Sequence, residues 1–395
     1  GTHADTLKSQ KENLIDINHE DISRVKKTIL HKIEKTGVNN LDTVRYLYLQ
    51  TTYLMKAKEY DFIIENLSKV IKEADWDKNN IVKYFDNIYN NLAETYFEIG
   101  KFEKGFQTLT KGMKISKNNF QNLYYVEAYG DFLTKRATIS LLRNMIENVK
   151  ENFKLLEEHV EYLISLSDDD KQKLKKISNS YSIDVMMTLS VFDMLEPKSR
   201  IASHYPLMAI DYLKQNPDVK AYIGKPIILA NLIQTSLIDD NIKNYKFARS
   251  ELNILVSESG ANQDKLRALL NPSGQLITQY YMKGFYLEMD KWIKFVYDTF
   301  DIEKLSKNFA FQANTIVVKY FKAYSEKRHG NLNEAILINE NIVSEHGIKD
   351  LLTSKDKIKM SLAQSFIIMK SIPDLYELYY LAGRKEKFNE LNRLL

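Results

Sequence analysis

Cysteine is absent from these 395 residues, which excludes disulfides, thiolate nucleophiles and cysteine-ligated metals. Proline and glycine are scarce, at six and thirteen. Strands joined by tight turns would need more of both, so helix is favoured. No apolar run is long enough to span a bilayer; even Val185–Leu195 is broken by Thr188, Ser190 and Asp193. Charge of one sign is not segregated either. The 56 basic and 52 acidic side chains are interspersed for a net +4, without the basic stripe of a nucleic-acid binder, so no such partner is expected. The chain opens on Gly1 without an initiating methionine. Gly1–His3 reads as an expression scar, with a signal peptide or an upstream domain expected before Ala4. That leaves a soluble chain of either cytoplasmic or extracytoplasmic location.

What is present is helical periodicity. Leu41–Ala57, Tyr60–Ala74, Ile88–Ile99 and Phe102–Ile115 carry apolar residues at three- and four-residue spacing. Only Lys58-Glu59 separates the first two, and Gly100-Lys101 the second two. Links that short make antiparallel hairpins. At 395 residues the chain exceeds the usual single core, and a stack of hairpins never needs one large core. The expected fold is all-α, a right-handed superhelical solenoid of helix hairpins. Ser167 before Asp168, Asp169 and Asp170 reads as an N-cap with acids in the first turn. Pro197, Pro206, Pro217 and Pro226 mark 197–226 as short elements, each restarted by a proline. The expected division is therefore an array over 1–196, a junction over 197–226 and a second array over 227–395. Arg384–Leu395 is expected to cap the last hairpin.

Tyr89, Leu92, Ala93, Tyr96, Gly100, Phe102, Gly105, Leu109 and Gly112 alternate large and small residues as hairpins of one known family do. The segment resembles a tetratricopeptide repeat, a hairpin of about 34 residues. Leu362, Ala363, Phe366, Ile372, Leu375, Tyr379 and Ala382 resemble a second, with Pro373 opening its second helix. Weaker echoes surround Lys58-Glu59-Tyr60, Gly330-Asn331-Leu332 and Tyr245–Leu255. The resemblance implies roughly ten hairpins and a general role in protein or peptide binding, with no reaction attached.

No catalytic, metal or cofactor site is expected. His19-Glu20 begins like a metalloprotease motif, but Ser23 stands where the second ligand belongs. Glu326 and His329 form a lone pair at a turn. Gly100–Gly105 has the glycine spacing of a phosphate loop, yet Phe106 and Gln107 replace its Lys and Ser/Thr. The resemblance instead implies a concave groove lined by the first helix of each hairpin. Carried over, that face holds Arg45, Tyr48 and Thr52, then Asn87, Asn90, Asn91 and Glu94 with Phe97 and Glu98. Further along it holds Tyr320, Tyr324 and Arg328, then Gln364. An asparagine amide both donates and accepts, which suits a peptide backbone. The expected function is a peptide- or protein-binding scaffold. The alternative is a ligand-sensing module of a larger signalling protein. The oligomeric state stays open.

Overall fold

The computed structural model describes residues 18–178, 181–195, 201–217, 221–259, 266, 269–353 and 360–394. The chain is 83% helix, with no strand among the described residues, and its roughly twenty helices pack mainly against sequence neighbours. It divides into two compact units. The first holds 1–139, 150–189 and 218–220, and the second 140–149, 190–217 and 221–395. The chain thus passes between units near 139, 149 and 189.

The first unit contains α1 (His19–Thr36), α2 (Leu41–Lys56), α3 (Tyr60–Glu73), a 3-10 turn (Ile81–Tyr84), α4 (Phe85–Glu98) and α5 (Phe102–Lys117). Most of α6 (Leu123–Leu142), α7 (Ile146–Ser165) and α9 (Tyr181–Leu195) belongs to it, with α8 (Asp168–Ile177) between the last two. The second unit contains α10 (His204–Gln215), α11 (Ala221–Ile238), α12 (Ile242–Ser259), α13 (Leu270–Met282), α14 (Tyr286–Thr299) and α15 (Ile302–Leu305). It continues through α16 (Gln312–Arg328), α17 (Leu332–Glu345), α18 (Ile348–Thr353), α19 (Leu362–Phe366), a π-helical turn (Ile367–Ser371), α20 (Ile372–Leu381) and α21 (Lys385–Leu394).

Local chemistry sets the helix ends. Asn18 and Asn40 accept from the Glu20 and Thr43 amides at the starts of α1 and α2. Ser167 Oγ accepts from the Asp170 amide at 3.2 Å, as its spacing predicts. The hairpin turns share one device, a left-handed residue that lets two late carbonyls be satisfied at once. At Gly100 (φ 78°) its amide reaches the Phe97 carbonyl and the Lys101 amide reaches that of Tyr96. The same pair of bonds recurs at Lys58, Asn144, Asp240, Gly284, Gly330 and Gly383, all at positive φ.

Those turns give the true spacing. Forty-two residues separate Lys58 from Gly100, 44 separate Gly100 from Asn144, and 46 separate Gly284 from Gly330. The expected period of about 34 residues is exceeded because the links between hairpins are long. One runs from Glu73 to Phe85 through the 3-10 turn, and α6 and α7 reach 20 residues each. The second repeat is also corrected: no hairpin breaks Leu362–Leu381. The helix runs on through the π turn, where the Ile372 amide reaches back to the Ile367 carbonyl, and the turn falls at Gly383. The wider turn makes room for the Pro373 ring, which would otherwise clash with a carbonyl one turn earlier.

Pro197 lies outside the described residues. Pro206 sits in the first turn of the 12-residue α10, as expected of a proline that restarts a helix, whereas Pro226 lies inside the 18-residue α11 and opens no element. Heavy burial holds α11 together past its proline, since Ile228, Leu229, Ala230 and Leu232 are fully covered. In the best-matching hairpin, Ala93, Gly105, Leu109 and Gly112 are all buried. A methyl on Gly112 would come within 2.7 Å of the Phe132 ring.

Candidate functional site

The groove residues assigned by resemblance fall into two groups, one in each unit. In the first, α4 turns one face toward α2 and α6. The Asn91 amide lies 3.5 Å from the Tyr48 carbonyl on α2, and Glu94 pairs with Lys135 on α6. Asn90 donates to the Asp86 carboxylate one turn earlier. Its own Oδ1 is buried and accepts nothing among the described residues. Asn87 is half-buried, and its amide enters no hydrogen bond with a described residue. Arg45 is exposed, and Thr52 is half-buried beside Tyr48, whose ring meets Tyr84. Of the flanking pair, Phe97 is buried core and Glu98 is exposed. Although the residue is exposed, partial desolvation of its carboxyl by neighbouring atoms, then the Glu94 charge, raises Glu98 above its ordinary value.

In the second unit the assigned residues are less free. Tyr320 is buried, its ring edge-on to Phe366 at 5.2 Å and its hydroxyl donated to Asp374. Gln364 closes the capping box of Ser361 and donates to the His346 carbonyl at 3.2 Å. Both are occupied by structural bonds. Tyr324 and Arg328 meet the preceding hairpin: Tyr324 packs on Tyr281 at 5.1 Å, and the Arg328 guanidinium stacks 4.1 Å over Tyr286. A depression beside the Gly330 turn is lined by Glu326, Asn331, Asn333 and Glu334. Lys322 and Asn331 hold Glu326 below its ordinary carboxyl range by hydrogen bonding.

Sequence spacing misses the most unusual group. Asp86 of α4 and Glu127 and Asp131 of α6 are all buried, with one oxygen of each within 4.8 Å of the others. Burial first, then the Asp131 and Glu127 charges, pushes the Asp86 carboxyl well above its ordinary value. An all-oxygen set of this kind has the chemistry for a hard divalent cation, and a shared proton relieves the same repulsion. The α6 signal is faint: acids four apart on a helix usually face solvent. Only the apolar residues on every side of Glu127 and Asp131 mark them as buried.

Behind the acids stands Tyr181 of α9, held over Gly130, where any Cβ would collide with its hydroxyl. That hydroxyl donates to the Val126 carbonyl at 2.7 Å and also meets His159 Nε2. Its single proton is therefore committed, and His159 must donate from Nε2, leaving Nδ1 a bare buried acceptor. Burial, then the Lys117 charge, lowers His159 to about 3. Burial and the three carboxylates raise Tyr181 well above its ordinary value.

No family model matches this sequence, and no curated protein is detectably similar to it.

Proposed function

We propose that the chain is a non-catalytic protein- or peptide-binding scaffold of tetratricopeptide type, a right-handed superhelix of hairpins. The binding face is the α4 surface between α2 and α6. What supports this reading is the accessible polar pair on that face: Asn87 is half-buried with no hydrogen bond to a described residue, and Glu94 keeps 34% of its side chain exposed beside Lys135. A segment bringing backbone amides or a basic side chain would engage both. The asparagines act unequally. Asn90 and Asn91 each give one amide N–H to the protein, whereas half-buried Asn87 makes no hydrogen bond with a described residue.

The experiment is a peptide array probed with the full chain, followed by titration calorimetry on a selected peptide. Asn87→Ala should weaken binding by about 0.5–1.5 kcal/mol. Glu94→Lys should weaken it by at least about tenfold, with little change in melting temperature because the Lys135 pair is partly exposed. Unchanged affinity in both variants would move the binding face away from α4.

A further inference from the structure

Lys117 ends α5, and its ammonium lies over three aromatic rings. The centroids of Phe120, Tyr129 and Tyr162 are 4.7, 5.3 and 5.9 Å away. The rings come from the α5–α6 link, from α6 and from α7. They brace one another without the lysine. Phe120 meets Tyr129 edge-on at 5.3 Å and Tyr162 at 4.9 Å. His159 closes the back, 4.9 Å from Tyr129 and stacked on Tyr162 at 6.2 Å.

Two features make the occupant exchangeable. Lys117 is exposed, and among the described residues its ammonium has neither an ion pair nor a hydrogen bond. The charges around the rings are mainly acidic: buried His159 stays neutral, Glu158 and Glu151 act on Tyr129 against Arg136, and Asp170 acts on Tyr162. Ring faces attract cations through their quadrupole, and most strongly when the cation is easily desolvated. A primary ammonium has three N–H groups that rings satisfy poorly. A quaternary ammonium has none.

We propose that Phe120, Tyr129 and Tyr162 form a binding site for organic cations of the quaternary-ammonium class, closed in the free protein by Lys117. The site is independent of the α4 face. The test titrates the full chain with tetramethylammonium chloride, against sodium chloride at equal ionic strength. Binding is followed by saturation-transfer NMR on the methyl signal, and thermal unfolding verifies that each variant is folded. Lys117→Gln opens the cage and should bind at least about tenfold more tightly than wild type. Adding Phe120→Leu, which removes a wall but keeps most of its volume, should abolish the gain. Three outcomes would overturn the proposal. They are no saturable binding by Lys117→Gln, binding equal to wild type, or binding that survives loss of the Phe120 ring. In the first case Lys117 is only a staple between α5, α6 and α7.

Discussion

Helices α6 and α11 are each buried on nearly every side, one in each unit, yet they bury different chemistry. α11 covers Asn231, Gln234, Thr235 and Ser236, all neutral. Thr235 donates to the Asn231 carbonyl at 2.9 Å and meets Ser203 Oγ at 3.1 Å, while Gln234 Oε1 and Ser236 Oγ find no partner among the described residues. α6 covers Glu127, Asp131 and Arg136. Arg136 is answered by Glu151 at 2.7 Å and by the Phe106 ring at 4.8 Å, whereas Asp131 faces two more acids. Neutral buried groups need only partners. Buried ionisable groups also tie the fold to proton concentration.

The largest expected effect that breaks this comparison is pH dependence in the first unit. Asp86 is raised from its ordinary 3.8, so its contribution to stability is full below 3.8 and is lost as pH rises through its folded value. His159 is lowered from 6.5 to about 3, so its contribution is present above 6.5 and lost as pH falls toward 3. Where the two ranges overlap above 3.8 they oppose each other. Relative to wild type, Asp86→Asn should lose up to about tenfold in the folding constant for each unit that pH falls from the folded value of Asp86 to 3.8, and His159→Gln should gain a similar factor for each unit from 6.5 toward 3. Urea unfolding read from Trp76 fluorescence in a Trp292→Phe background isolates the first unit. Parallel pH profiles for all three proteins would contradict the assignment.

A second prediction concerns Gly130. Gly130→Ala should displace Tyr181 and destabilise the first unit by about 1–3 kcal/mol through overpacking, read from the same Trp76 transition. An unchanged transition would mean that Tyr181 does not rest on α6. The smallest effect belongs to the neutral helix. Among the described residues, Gln234 hydrogen-bonds only Asn231 and Pro272, each at 3.4 Å. Gln234→Leu should therefore cost less than about 1.5 kcal/mol, with no change in pH dependence. A pH-dependent loss on Trp292 fluorescence would erase the contrast between the two helices.

Much of the helical layout was legible in the residues. The turns at Lys58 and Gly100 follow from short polar links between amphipathic stretches, and the α8 cap follows from Ser167. The repeat spacing was not legible, because the long links resemble helix in composition and the family pattern was extended across them. Pro373 reads as a helix start, yet burial of Ile367, Ser371 and Ile372 on one continuous element outweighs the lost backbone bond. The candidate face was half legible. Resemblance points to Asn87, Asn90, Asn91 and Glu94, but the acids beside them emerge only once α4 and α6 are packed together.

Hydrogen exchange of the full chain, with and without an array-selected peptide, reads whether the α4 face between α2 and α6 receives a peptide. Slowed exchange is expected in α2, α4 and α6 of the first unit at saturating peptide, with less slowing in Asn87→Ala than in wild type at one sub-saturating concentration. Protection confined to the second unit, or identical protection in wild type and Asn87→Ala at sub-saturating peptide, would contradict that expectation.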